Sequence, residues 1–357
     1  MKNYTVFWPD YSIGTDVYNK IPEICLPFGK KAVVIGGHKA MAAAKGKLIS
    51  AIKNSGLEIL DFVWFGGEAT YENVDMLNSN PSVNEADMIF AVGGGKAVDT
   101  CKALCVKIGK PFFTFPTIAS NCAAATTLAI MYKADGSFLE FYHFDRPAEH
   151  VFIDTKIIVH APIKYLWAGI GDTYAKYYEV SVSARGAKLP HYQEMGVHLS
   201  RMCMEPLIEY GEEALNDNKQ HIITDGFEQT VLTIIITTGM VSLLVSRDHS
   251  MDYNGGVAHA VFYGLTIYPE LEKNHIHGEV VGFGVLFLLL IDGQREEYEK
   301  IAAFNKRIGL PTHLSDIGIT LEQFEAAAEG ITKDEDLEHY PYKVTAEMLI
   351  NTAKLLI

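Results

Sequence analysis

His259 and His277 are the first candidates for chemistry. They bracket the stretch AHAVFYGLTIYPELEKNHIHG and lie 18 residues apart (277 − 259), too far for one helix face. Pro269 between them gives the chain a place to turn, because proline cannot continue a helix interior. Two imidazoles brought together from neighbouring helices could hold a metal. A catalytic zinc typically takes three protein ligands and keeps one position open, so a third ligand must come from elsewhere. Asp172 in AGIGD (168–172) is the candidate, since the glycines would let a helix start close to another element. The bland alternatives are a helix N-cap for Asp172 and a core or surface histidine for His259. His275 and His277 alternate on an irregular segment, and spacing does not choose between them.

A second set of residues could hold phosphate. Gly93-Gly94-Gly95-Lys96 joins a predicted strand to a predicted helix starting at Ala97. Glycines let backbone approach a phosphate, and a helix N-terminus presents free N–H groups. Lys96 would add a full charge; the alternative is a tight turn with a surface lysine. Gly36-Gly37-His38-Lys39 ends an earlier strand without an acid. In dinucleotide folds an acid there binds ribose hydroxyls and a base accommodates a 2′-phosphate. Lys39 therefore favours NADP(H) over NAD(H), unless it is only a solvated lysine at a helix start.

These loops need a scaffold. Strands are expected at 31–36, 59–65, 87–92, 111–115 and 150–154, with helices at 38–51, 71–78 and 97–108 between them. Alternation of this kind means a parallel, doubly wound sheet. Its ligands bind beyond the carboxyl ends of the strands. A hairpin is expected from 127–133 and 138–144 around Ala134-Asp135-Gly136-Ser137. From Ala161 onwards the pattern turns helical, with segments including 163–168, 172–184, 192–214, 220–246, 255–263 and 279–291. The reading is an α/β Rossmann-like domain over 1–160 and an all-α domain over 161–357, with the site in the cleft between them.

Composition narrows the classes. The chain has 357 residues, 48% of them hydrophobic, and a net charge of −14. That disfavours nucleic acid and anionic membranes as partners. Five scattered cysteines, with Cys101 and Cys105 as core thiols, suggest a reducing, cytoplasmic setting. The apolar runs 231–245 and 280–291 fall short of the roughly 20 residues that span a bilayer, so they read as buried helices.

The segments GGGKAVDT (93–100), FPTIAS (115–120), AGIGDTYAKYYE (168–179), AHAVFYGLT (258–266) and HGE (277–279) together resemble the glycerol dehydrogenase branch of the iron-containing alcohol dehydrogenase superfamily. TIASNCA (117–123) and EHYPYKVTAEML (338–349) are most similar to hydroxycarboxylate dehydrogenases, NADPH-dependent 2-oxo-acid reductases. The resemblance implies Asp172, His259 and His277 as ligands of one divalent metal. It implies Gly93, Gly94, Gly95, Lys96 and Ala97 as the pyrophosphate loop; Gly37 and Lys39 replace the family's NAD-binding acid after the first strand. Thr117, Ile118, Ser120, Thr126, Leu128 and Tyr132 then line the nicotinamide side. A homo-oligomer acting on a small molecule is implied as well.

Two departures bear on specificity. Cys122 stands where glycerol dehydrogenases carry an aspartate that helps hold a polyol, and a thiol cannot accept two hydroxyls as a carboxylate can. Phe262 stands where relatives often place a further histidine, which favours zinc over iron. The expected activity is reduction of a small 2-oxo acid or oxidation of the 2-hydroxy acid. Its rivals are an NAD-dependent glycerol or diol dehydrogenase, a lyase like dehydroquinate synthase, and a non-enzymatic binding protein.

Overall fold

A computed structural model describes residues 4–246 and 253–357. The chain divides into two units: one runs up to Pro162 and takes back Asp217–Ile223, the other holds Ile163–Asn216 and Thr224–Ile357. Asn218 accounts for that return. Its buried amide donates to the carbonyls of Val159 (3.0 Å) and Ala161 (3.3 Å), at the end of the helix Thr155–Val159.

The first unit is a Rossmann-like parallel sheet. Its strands are β1 (Tyr11–Gly14), β2 (Lys31–Gly36), β3 (Glu58–Trp64), β4 (Met88–Gly93), β5 (Phe112–Pro116) and β8 (His150–Asp154), in the order β1-β8-β5-β4-β2-β3. β4, MIFAVG, is buried along its whole length, as a continuous apolar run in a sheet covered on both faces should be. Side chains alternate between faces. Val34, Phe90 and Phe115 pack on the face covered by α1 (His38–Ile52). Val33, Ile35 and Ala91 pack on the other, with α2 (Gly95–Ile108) and its buried Cys101 and Cys105. The hairpin forms as expected from β6 (Leu128–Tyr132) and β7 (Phe138–His143), antiparallel, with Ala129 and Met131 turned into the second core. β1 went unread in the sequence: four partly exposed edge residues are too few to show a period.

Strand register aligns the functional ends. Gly36 pairs with Trp64 on one side and Val92 on the other, and Gly93 pairs with Pro116. The carboxyl ends of β3, β2, β4 and β5 thus form one rank. The strand order reverses between β2 and β4, where ligands of such sheets bind.

Among the described residues the second unit is helical. α3 (Ile163–Ser183) is one continuous helix, where the sequence suggested a break at Gly169-Ile170-Gly171. α4 (Val257–Leu265) and α5 (His277–Ile291) pack beside it. α5 is apolar all round and almost wholly buried, as such a helix must be. The segment Asp225–Val245 also differs from expectation. Thr224 caps it, later than the expected start at 220, a π-helical stretch (Thr233–Thr237) carries it through, and its 21 residues are long and apolar enough to cross a membrane, where the run 231–245 alone read as too short. It is mostly buried inside the protein, as a core helix would be.

Gly171 of α3 serves close approach. A Cβ on Gly171 would lie 2.2 Å from the carbonyl oxygen of Gly278, and one on Gly278 would lie 2.1 Å from that of Ala168. Backbone, not side chain, forms this seam. Gly278→Ala should therefore force α3 and α5 apart and cost about 1–3 kcal/mol of stability, read as a lowered melting temperature against wild type.

Candidate active site

α3, α4 and α5 each bring one donor to a common point. Asp172 lies in the middle of α3, so it is not an N-cap; His259 is the third residue of α4 and His277 the first of α5. The three ligand atoms lie within 4.8 Å of one another. Asp172 Oδ1 is 3.5 Å from His259 Nε2 and 3.3 Å from His277 Nε2. These separations are long for hydrogen bonds. They match the edge of a tetrahedron, about 3.3–3.5 Å, around an ion holding ligands at about 2.0–2.1 Å. Two imidazole nitrogens and one carboxylate oxygen suit a borderline divalent ion, so the residues present fit a metal.

His275 is engaged elsewhere. Its Nδ1 meets Glu279 Oε1 at 2.9 Å, and Glu279 Oε2 accepts the Ile276 N–H at 3.1 Å. Phe262 sets its ring edge-on to His277 at 4.4 Å. The position where relatives often carry a histidine here supplies packing for one.

The residue that sequence reasoning missed is Glu179. It is fully buried, seven residues after Asp172 and so two turns along the same helix face. Its Oε2 accepts the His259 Nδ1–H at 2.7 Å and its Oε1 accepts the His259 backbone N–H at 2.9 Å. That pair fixes the tautomer and leaves Nε2 facing Asp172, an arrangement that orients metal-bound histidines. Burial opposes charge on His259, but Glu179 and Asp172 outweigh it and push its pKa up to about 10. Burial likewise opposes charge on Asp172, and the two facing imidazoles hold its carboxyl well below the usual range. Lys176 and Ser183 extend the polar stripe of α3. Buried Lys176 donates to Asn254 Oδ1 at 2.9 Å, and Ser183 donates to the Tyr253 carbonyl at 3.3 Å. The i, i+4, i+7, i+11 spacing of Asp172, Lys176, Glu179 and Ser183 was the available signal.

In the sheet unit, helix ends at the strand reversal are bare. The helices after β3 and β8 are capped by the side chains of Thr70 and Asp154. α1, after β2, starts from Gly37, and α2, after β4, starts from Gly94; neither has a side-chain cap or an acid in its first turn. Gly93 has φ +154, and a Cβ on Gly94 would lie 2.5 Å from the Ile118 side chain. Thr117 is pinned by its N–H to the Gly93 carbonyl at 3.3 Å. Ala97 is buried behind this loop, and Ser120 is half-buried. Lys39 is exposed in the first turn of α1, next to His38, whose ring stacks on Trp64 at 5.4 Å.

The cations here are largely committed. Lys96 pairs with Glu68 and lies 5.3 Å over the Tyr132 ring, so its charge is partly neutralised, against the sequence expectation of a full one. Buried Lys102 meets Asp99 Oδ1 (3.0 Å), Thr126 Oγ1 (3.0 Å) and the Leu128 carbonyl (2.6 Å). Thr126 thus spends its hydroxyl inside the protein, in a network that ties β6 to α2. Burial raises the Asp99 pKa and Lys102 opposes that rise. Cys122 is half-buried at the start of the turn Ala123–Ala125.

The chain is similar to known proteins over most of its length. A profile of iron-containing alcohol dehydrogenases matches residues 9–155. The chain is 34% identical to hydroxycarboxylate dehydrogenase A of Escherichia coli, over 89% of this chain and 87% of that protein. It is 31% identical to glycerol dehydrogenase of Thermotoga maritima, over 79% and 78%. The crystal structure of a probable glycerol dehydrogenase from Sinorhizobium meliloti superposes with a TM-score of 0.84 at 25% identity, covering 99% of this chain and 98% of that one.

The buried pair gives a direct test. Lys102→Met leaves Asp99 charged and unpaired and should cost about 3–5 kcal/mol. Adding Asp99→Asn should recover most of the loss in denaturant unfolding.

Proposed function

The chain belongs to the iron-containing alcohol dehydrogenase family, and from that premise we propose an oxidoreductase that interconverts a small 2-oxo acid and its 2-hydroxy acid with NADP(H) and one zinc ion. The observation that carries the reading is the convergence of Asp172, His259 and His277 with Glu179 behind them. When bound there, a divalent ion supplies Lewis-acid polarisation of a carbonyl or hydroxyl oxygen. Asp172 offsets part of its charge, and Glu179 keeps the His259 lone pair directed. Phe262 holds His277 by ring contact.

For the nucleotide, the bare ends of α1 and α2 support a phosphate-binding role for Gly37 and for Gly93, Gly94, Gly95, Lys96 and Ala97. Because Glu68 holds Lys96, backbone N–H groups would carry most of the pyrophosphate contact. Exposed Lys39, with no acid beside it, supports a 2′-phosphate and so NADP(H). A bound nicotinamide supplies the hydride chemistry. Thr117, Ile118, Ser120, Leu128 and Tyr132 are the side chains proposed to line its ring. Cys122, in place of a polyol-binding aspartate, removes a negative charge and so favours a substrate carboxylate. The likeness to a hydroxycarboxylate dehydrogenase is in keeping with that choice.

A second reading is an NAD-dependent glycerol dehydrogenase, favoured by the Thermotoga relative. Steady-state rates separate the two. 2-Oxobutanoate with NADPH should be turned over with higher kcat/KM than glycerol with NAD, and Lys39→Ala should raise KM for NADPH about tenfold while sparing NADH. Superior oxidation of glycerol would overturn the choice.

Metal uptake should also depend on pH. Without metal His259 keeps its proton up to about pH 10, so zinc must displace it. Calorimetry should find about one proton released per zinc near pH 7 and affinity that rises with pH. In chelator-treated protein the sign is opposite. The stability gained from protonated His259 is complete below about pH 6.5 and is lost as pH rises through about 10.

A further inference from the structure

The tail motif EHYPYKV (338–344) was singled out by the sequence and has no place in the site so far. In the fold, residues 334–342 run as a strap over the segment that carries His259. Asp336 is buried against Gly255: a Cβ on that glycine would lie 2.1 Å from the carboxyl carbon. A Cβ on Gly256 would be 2.9 Å from the Tyr340 hydroxyl and 3.1 Å from the Glu179 side chain. The Tyr253 and His339 rings meet at 4.9 Å. At its far end the strap is fastened by Tyr342, whose hydroxyl donates to Asp292 Oδ1 at 2.8 Å, and Arg185 holds the same carboxylate at 3.0 and 2.7 Å.

One contact of the strap reaches the start of α4. That helix begins from Gly256, which has no side chain to cap it. Its first N–H, on buried Val257, donates to the Tyr340 hydroxyl at 3.2 Å. Its third, on His259, donates to Glu179. Two donors of the first turn, which lack partners within any helix, are therefore satisfied from outside, by α3 on one side and the strap on the other. A buried N–H left without a partner costs about 1–3 kcal/mol, and here that cost would fall on the turn that aims His259.

We propose that Tyr340 is a positioning residue for the metal centre: its hydroxyl caps α4 in trans and holds His259 in the geometry that Asp172 and His277 require. The strap is thus part of the support of the site. Outer-shell partners of this kind change metal affinity by about 10–100-fold when removed. This inference rests on the metal reading of Asp172, His259 and His277.

The test uses full-length protein with zinc alone as the probe. Zinc affinity is measured by competition with a chromophoric chelator for wild type, Tyr340→Phe and Tyr342→Phe, with amide exchange followed over residues 254–260. Tyr340→Phe should weaken zinc about tenfold and quicken exchange in that stretch. Tyr342→Phe should leave zinc affinity within about twofold, because its hydroxyl lies at the fastening and not at the cap. Zinc binding by Tyr340→Phe within twofold of wild type would overturn the assignment. So would an equal loss in Tyr342→Phe, which would make the effect one of the strap in general. If wild type itself takes up no zinc, the metal reading fails, and unchanged exchange over 254–260 in Tyr340→Phe would separately overturn the cap.

Discussion

The carboxylate of Glu179 constrains much of the helical unit. It carries a charge at a position with no access to water. Such a charge is tolerated only when paired and hydrogen-bonded. Both its oxygens are met by His259, one through the ring and one through the backbone. Satisfying Glu179 therefore fixes where α4 begins, which way the imidazole faces and which nitrogen faces Asp172. The glycines that precede α4 follow from the same constraint, since side chains there would collide with Asp336, Tyr340 or Glu179 itself.

The sheet unit solves a different problem with little cationic charge. The chain is acidic overall, and Lys96 and Lys102 at the strand ends are matched by Glu68 and Asp99. Its unsatisfied donors lie in backbone: two helices start at glycine, with neither side-chain cap nor acid, on either side of the strand reversal. Register does the rest. Because Gly36, Trp64, Gly93 and Pro116 end in one rank, their loops gather at one edge of the sheet. The Lys102 network serves the same edge indirectly, by holding the hairpin that carries Leu128 and Tyr132 to α2.

Local signals made the fold legible, and their lengths explain the misses. Apolar runs ending in glycine announced β2 and β4, and Ala134-Asp135-Gly136-Ser137 announced the hairpin. β1 is four residues on an edge and shows no period. The pair of glycines before Asp172 looked like a helix boundary because glycine is a poor helix former. In the fold they sit inside α3, and Gly171 is met there by the backbone of Gly278, a neighbour more than 100 residues away in sequence.

By itself the sequence determined the two kinds of architecture, the glycine loops and a short set of possible ligands. These depend on period, turn chemistry and residue type, all readable along the chain. It left His275 and His277 equivalent by spacing, and it did not show that Glu179 meets His259 or that Tyr340 meets the N–H of Val257. Tertiary structure decided those points. His275 is drawn to Glu279 by a local contact, while His277 opens α5 beside α3 and α4. Convergence is set by backbone approach between helices remote in sequence, and orientation by buried hydrogen bonds that must close. Neither has a period, so neither leaves a pattern for the one-dimensional chain to display.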